Sequence, residues 1–196
     1  MKKKLQILML ILIFTGCVNK ERKIEGFVIN EGRFEKCIEK MANPNFFYYQ
    51  DTLEKFRIKL PRDWWLEKSE SEEKYGITTV DSSLNQNETR LIAVTVIERI
   101  KTSLKEYVSS EIKSMNTDST MFIQKIGKQQ IDSLESFWVN YKTNDKLKTN
   151  GILNYLKDNK SDRIFIIHSI VFGDTEVDTR LCHLQNLVMT FRINKE

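Results

Sequence analysis

The amino-acid sequence predicts an α+β fold: a mostly antiparallel β-sheet flanked by helices on both faces, an α/β/α sandwich. Residues 91–97 and 164–172 are apolar almost throughout, which is typical of strands buried on both faces. Three other segments each carry one apolar stripe at helical spacing. The segments follow the order helix, strands, helix, strands, helix. No internal repeat or shift in composition marks a second domain.

The first predicted helix belongs to an N-terminal segment, residues 31–49. Its stripe recurs at i, i+3, i+4 and i+7, and Asn43–Pro44 ends it. The aromatic run from Phe46 and Phe47 to Tyr49 follows. If this run is exposed, we predict that Phe46 and Phe47 are binding residues; the alternative is that they pack over the edge of the core. The helical stripe consists of Phe34, Cys37, Ile38 and Met41.

Residues 50–196 form the predicted main domain, which begins with strands. Apolar and basic residues alternate from Phe56 to Leu60, the period of a half-buried strand, and Pro61 ends it. Gly76–Val80 is rich in β-branched residues and predicts another strand. Because both faces of residues 91–97 are apolar, this segment is predicted to be a central strand.

The rest of the main domain alternates helices and strands. Ser103 and Glu106 form a capping-box pattern that begins a helix. Thr175 with Asp178 is predicted to begin the last helix. Short polar turns join the intervening strands and suit antiparallel hairpins. These strands are predicted at about 122–130, 135–142, 151–157 and 164–172.

A short apolar run with a basic start opens the sequence. Three lysines follow Met1, residues 5–14 are apolar apart from Gln6, and Cys17 follows Gly16. The run is shorter than the roughly 20 residues that a membrane-spanning helix needs. It has the layout of a secretory signal peptide.

The residues that lead into Cys17 resemble the lipobox of bacterial lipoproteins. The resemblance implies a lipoprotein signal peptide over 1–16, a diacylglycerol on Cys17, and a lipidated tether over 17–30. Val18 is not the Asp that retains lipoproteins of enteric bacteria in the inner membrane. The implied location is therefore the cell envelope, at the outer membrane facing the periplasm rather than at the inner membrane. Cleavage without a lipid and an uncleaved anchor are the alternatives.

The positive charge of the chain comes mainly from the signal peptide. Removing Lys2, Lys3 and Lys4 lowers the count of Lys plus Arg from 31 to 28, against 27 acidic residues. The net charge then falls from +4 to about +1. A nearly neutral domain gives no basis for a nucleic-acid partner.

Cys37 and Cys182 remain after Cys17 is assigned to the lipid. In an exported protein they can form a disulfide. They can equally remain separate thiols, each on an apolar helical stripe, and the sequence leaves both interpretations open. Neither lies in the CxxC spacing of a redox or zinc site.

The two histidines are weak candidates for chemistry. His168 shares a strand face with Ile166 and Ile170, where a histidine can act as a base or ligand but more often has a structural role. His183 lies on the predicted last helix, without an HxH or HExxH pattern. The sequence also lacks a G-x-S-x-G motif and a Gly-rich phosphate loop. It therefore predicts no catalytic residue, no metal site and no cofactor.

The adjacent Trp64 and Trp65 are the remaining predicted binding residues. In an extended segment their side chains point to opposite sides, so only one of them can face the core. The other would be available for a contact. Trp138 is predicted to pack in the core.

The order of the predicted strands and helices along the chain resembles that of the PsbP-like family. This family includes PsbP, the Ran-binding Mog protein and bacterial lipoproteins of the DcrB type. The resemblance covers about residues 50–193 and implies a binding or assembly partner rather than an enzyme. It rests on Phe56–Pro61 followed by Trp64 or Trp65, the strand Leu91–Ile97 before the helix at Ser103–Leu104, the aromatic strand Phe137–Tyr141, and the closing helix that leads into Thr190–Phe191.

The favoured function is that of a lipid-anchored envelope protein that acts as a non-catalytic binding or assembly partner of another envelope protein or complex. One alternative is a small hydrolase or metal-dependent enzyme in a cleft near His168, which needs a solvent-facing histidine with a carboxylate in hydrogen-bond reach. Another is a carrier of a small apolar ligand, which needs a sizeable apolar pocket near the tryptophans.

Replacing Cys17 by Ser removes the thiol that would carry the lipid. We expect the variant to leave the membrane fraction, because the acyl chains supply the membrane affinity. Cell fractionation, with mass spectrometry of the N-terminal peptide, measures this. A variant that stays in the membrane fraction would contradict lipid anchoring and favour an uncleaved anchor.

Overall fold

The computed structural model describes residues 22–34, 45–51, 53, 55–71, 74–81, 88–158 and 160–194. The helices in these ranges are α1 (Leu104–Thr117) and α2 (Val177–Val188). The strands are β1 (Lys23–Ile24), β2 (Phe27–Glu31), β3 (Phe46–Gln50), β4 (Phe56–Pro61), β5 (Trp65–Glu70), β6 (Lys74–Val80), β7 (Arg90–Ile97), β8 (Met121–Ile131), β9 (Leu134–Thr143), β10 (Asn150–Asp158), β11 (Arg163–Val171) and β12 (Arg192–Ile193).

The described strands form a large sheet and a small one. The large sheet has nine strands in the order β1-β2-β8-β9-β10-β11-β7-β6-β5, and the small sheet has the order β12-β4-β3. Within these strands, β2 and β8 pair parallel and the other neighbours pair antiparallel. The mostly antiparallel sheet that the sequence predicts is therefore confirmed.

Two apolar clusters lie against the large sheet, and β9 contributes to both. Trp138 belongs to the cluster that includes α2 and the small sheet, which we call the α2 cluster. Its chain neighbours Phe137 and Val139 belong to a second cluster, which includes Val108 and Ile112 of α1. This alternation follows from the period of two residues in a strand.

Three phenylalanines connect the elements of the α2 cluster. The ring of Phe191, which follows α2, lies 5.5 Å from that of Phe56 on β4 and 5.4 Å from that of Phe165 on β11. Phe56 and Phe165 are 6.3 Å apart between centroids. All three side chains are fully buried. They therefore join the small sheet, the end of α2 and the large sheet at one point.

The predicted elements of the main domain are present with small shifts of their ends. β7 is central, since β11 and β6 pair on either side of it. α1 begins at the predicted capping box: the Glu106 N–H donates to the Ser103 hydroxyl oxygen, and the Ser103 N–H donates to the Glu106 carboxylate.

Several predictions near the N-terminus need correction. Residues 23–24 and 27–30, which we assigned to the tether, belong to β1 and β2, and β2 pairs with β8. Residues 46–49, assigned to the N-terminal segment, form β3 of the small sheet together with Gln50. Of the helix predicted from Phe34 to Met41, Phe34 is a described residue, and positions 35–41 lie outside the described residues.

Two further differences lie in the main domain. β5 follows Trp64 directly and was not predicted, because its last four residues are exposed and polar. α2 begins after Glu176, whose backbone is left-handed and whose side chain makes no capping bond. Thr175 is therefore not the cap; its carbonyl instead accepts a hydrogen bond from Arg180 Nε.

The Phe191→Ala substitution tests the connection between the sheets. We expect it to lower the free energy of unfolding by about 3–5 kcal/mol, because it leaves a cavity among fully buried rings. Phe122→Ala is the control, since Phe122 is 47% exposed, and should change stability by less than about 1 kcal/mol. Urea unfolding measures both. Equal losses would contradict the assigned role of Phe191.

Candidate functional site

The adjacent tryptophans lie on opposite sides of the chain at the start of β5. Trp64 is 7% exposed and belongs to the α2 cluster, whereas Trp65 is 53% exposed. Trp65 also lies on the outermost strand of the large sheet. Of the pair, the structure therefore leaves Trp65 available for a contact and uses Trp64 in packing.

Arg90 covers Trp64 and links it to α2. Its guanidinium carbon lies 5.7 Å from the Trp64 ring centroid, and its Nη2 donates to Asp81 Oδ2 at 2.5 Å. Its Nη1 lies 3.4 Å from His183 Nδ1. The Asp81 side chain is buried. These contacts give Trp64 and His183 a structural role between β7 and α2.

The aromatic run that the sequence singled out forms β3, at the edge of the small sheet. Phe46 and Phe47 are half-buried and pack against the α2 cluster, and Tyr49 is buried. Tyr48 is 61% exposed. Part of the run therefore packs over the core, as one interpretation predicts, and Tyr48 faces solvent, as the other predicts.

Two basic residues of β4 lie on the same side of the small sheet as Tyr48. Tyr48 pairs with Lys59, and Gln50 pairs with Arg57. Paired residues of neighbouring strands share a face. The Lys59 ammonium lies 4.6 Å from the Phe46 ring centroid, and the Arg57 guanidinium carbon lies 6.0 Å from that of Tyr48. We call Phe46, Tyr48, Gln50, Arg57 and Lys59 the β3–β4 surface.

His168 lies on β11 beside a buried tyrosine. Its Nε2 is 2.7 Å from the hydroxyl oxygen of Tyr141. Burial lowers the pKa of His168 to about 4. Burial, and then the charge of Asp145, raise the pKa of Tyr141 well above its ordinary value. At neutral pH both groups are therefore uncharged partners.

The arrangement that an enzyme near His168 would need is not formed among the described residues. There the hydrogen-bond partner of His168 is Tyr141, a phenol, rather than a carboxylate. Within the same ranges, no three residues of the types His, Cys, Asp and Glu are grouped so that they could hold a metal ion.

A cavity of about 180 Å³ lies where the β8–β9 and β10–β11 turns meet the end of the chain. Its lining includes no tryptophan. It is therefore not the apolar pocket near the tryptophans that the carrier alternative needs. The lining residues are Asp132, Leu134, Asp158, Lys160, Ser161, Arg163, Ile193 and Asn194.

Two of the predicted modification sites, Cys17 and Cys37, lie outside the described residues. Cys182 on α2 forms a disulfide. Phe34, three positions before Cys37, contacts Trp138 edge-on at 5.5 Å and lies in the same cluster as Leu181 of α2. Three positions before Cys37, the chain therefore packs in the cluster to which α2 also belongs.

None of the helices in the described ranges is long and apolar enough to span a membrane.

Comparison of the fold with solved structures gives several matches of similar extent. Cyanobacterial PsbP from Synechocystis sp. PCC 6803 superposes with a TM-score of 0.58 at 11% identity, over 78% of this chain and 94% of that one. The Ran-binding protein Mog1p of Saccharomyces cerevisiae gives 0.53 at 11% identity, over 78% and 97%. LpqN of Mycobacterium tuberculosis, involved in cell envelope biogenesis, gives 0.54 at 9% identity, over 77% and 91%.

The chain has the PsbP-like fold. At 9–11% identity the likeness concerns the fold alone. No family model and no curated protein sequence matches the chain.

The segments on which we based the resemblance occupy successive parts of the PsbP-like fold. Phe56–Pro61 is β4, and Trp64 packs directly after it. Leu91–Ile97 lies in β7 before α1, and Phe137–Tyr141 lies in β9. Phe191 is buried just after α2.

Tyr48, Arg57 and Lys59 were not predicted to be site residues from the sequence. Arg57 and Lys59 carry a usable signal, because they are the polar positions of an alternating strand and so must face away from the core. That Tyr48 shares their side depends on the register between β3 and β4, which no local pattern contains.

The low pKa of His168 predicts how stability depends on pH. Unfolded histidine has a pKa of about 6.5, so between about pH 6.5 and pH 4 the unfolded chain binds more protons than the folded chain. The stability contributed by neutral His168 is complete above about pH 6.5 and is lost as the pH falls towards 4.

NMR titration of the imidazole should give a pKa near 4 for His168. The His168→Gln variant, measured by urea unfolding at several pH values, should lose this part of the pH dependence. A folded-state pKa near 6.5, or an unchanged pH dependence in the variant, would contradict the prediction that His168 stays neutral in the folded chain.

Proposed function

We propose that this chain is a lipid-anchored cell-envelope protein that acts as a non-catalytic binding or assembly partner of another envelope protein or complex. Its anchor is diacylglycerol on Cys17, and its location is the outer membrane, facing the periplasm. The observation that carries the binding role is the β3–β4 surface. Arg57 and Lys59 lie beside aromatic rings there, and among the described residues neither is paired with a carboxylate.

Solved structures of the same fold support a binding role. One is described as a Ran-binding protein and another as a protein involved in cell envelope biogenesis. The pairing of His168 with Tyr141 leaves the enzyme alternative without a described general base. Trp65, exposed on β5, is a second contact residue in this proposal.

Three structural proposals complete this account. The tether runs from Cys17 to the start of β1, because residues beyond it belong to the sheet. Cys37 is the disulfide partner of Cys182, which the presence of Phe34 in the same cluster as Leu181 of α2 supports. The two helices cover opposite faces of the large sheet, which the alternation of β9 residues between the two clusters supports.

Site-specific photocrosslinking in intact cells tests the binding role. A photoreactive amino acid at position 48 should give one discrete adduct with another envelope protein, because Tyr48 is exposed on the proposed surface. Position 122 is the matched control, since Phe122 is also an exposed aromatic residue but lies on β8 of the large sheet. Adducts of equal yield at both positions, or none at position 48, would contradict the proposal.

A further inference from the structure

Within the described residues, the outer edge of β3 presents backbone groups that no other strand pairs with. In the ladder with β4, the Arg62 N–H donates to the Asn45 carbonyl, and the Asp51 N–H donates to the Phe56 carbonyl. Antiparallel ladders alternate between bonded and non-bonded pairs. With the register Tyr48↔Lys59, the N–H and C=O of Phe46, Tyr48 and Gln50 therefore point away from β4. The Lys59 N–H points away from β3 for the same reason, and donates to the Thr190 hydroxyl oxygen.

This edge lacks the protection that other sheet edges have. Edge strands are commonly short or carry charges or proline, which blocks the addition of another strand. β1 and β12 have two residues each, and β5 carries Glu67, Lys68 and Glu70. β3 has five residues, none of them charged or proline. Within the described part of the chain, no strand pairs with its outer side.

Cations surround β3. Arg57 and Lys59 lie over Tyr48 and Phe46. On the other side, the Arg62 guanidinium carbon lies 5.5 Å from the Phe47 ring centroid, and the Lys68 ammonium lies 6.0 Å from that of Tyr49. Among the described residues none of these four cations forms an ion pair with a carboxylate. A bound strand with carboxylate side chains would therefore meet complementary charge.

We propose that the partner binds through an extended acidic segment, which adds to the outer edge of β3 as a further strand of the small sheet. Its backbone bonds to the peptide groups of Phe46, Tyr48 and Gln50, and its carboxylates lie near Arg57 and Lys59. Main-chain bonds of this kind supply affinity, and alternate side chains supply specificity. The inference rests on the proposed binding role and names the chemistry of the partner.

An extended polypeptide fits these observations better than a membrane surface does. A row of outward peptide groups at a two-residue spacing matches the backbone of another strand. Lipid headgroups would use the cations and rings but not this row. A bound polypeptide would therefore use the backbone of β3, whereas a membrane surface would not.

The Tyr48→Pro substitution distinguishes the contribution of the Tyr48 backbone to binding from that of its side chain. Tyr48→Pro removes an N–H that points outward, so it leaves the β3–β4 hydrogen bonds in place. Tyr48→Ala is the matched control, because it removes the ring and keeps the N–H. Circular dichroism and urea unfolding check that both variants fold.

The probe is a fluorescent eight-residue peptide in which Glu alternates with Val, compared with the same peptide carrying Lys in place of Glu. Fluorescence anisotropy is measured with the full chain in a non-ionic detergent. The glutamate peptide should bind and the lysine peptide should not. Binding should weaken at least about tenfold more in Tyr48→Pro than in Tyr48→Ala, and at least about tenfold in the double variant Arg57→Glu/Lys59→Glu.

Equal binding of both peptides, no binding of the glutamate peptide, or equal weakening by Pro and Ala at position 48 would overturn the inference. So would binding to phosphatidylglycerol vesicles that depends on Arg57 and Lys59, in place of peptide binding, because it would assign the surface to a membrane. An adduct at position 48 in cells, together with any of these results, would leave the binding role intact and reject only strand addition.

Discussion

The burial of one side of the small sheet is the constraint on which the rest of the structure depends. Phe56, Phe165 and Phe191 contact one another without exposure to solvent, so β4, β11 and the end of α2 are fixed at one point. Because apolar side chains of β3 and β4 face this core, every second residue of both strands faces away from it. The fold thereby determines which residues are available to a partner.

The outward side of the small sheet combines three properties. It has exposed aromatic area at Tyr48, cations at Arg57 and Lys59, and, within the described residues, peptide groups along β3 that pair with no other strand. Among the described residues, His168 is hydrogen-bonded to Tyr141 rather than to a carboxylate. For this reason we place the proposed function at this surface and assign His168 a structural role.

The sequence predicted those strands and helices whose burial leaves a regular pattern of apolar residues. β7 and β11 were recognisable because they lie inside the sheet, and α1 because its stripe and capping box agree. β1 and β2 were missed because they are short and mostly exposed and pair through their backbones, which leaves no periodic signal. Side chains alternate along a strand, so the sequence predicted that one of Trp64 and Trp65 is exposed. It did not predict which one, because the packing of Arg90 on Trp64 is a tertiary contact.

The most direct test of the central claim is affinity capture of the full-length chain from gently solubilised membranes, beside the double variant Arg57→Glu/Lys59→Glu. The account predicts that one envelope protein co-purifies with the natural chain in near-equal amount and is lost from the double variant, while both chains fold and fractionate with the membrane. Recovery of that protein in equal amount with both chains would contradict a docking role for the β3–β4 surface.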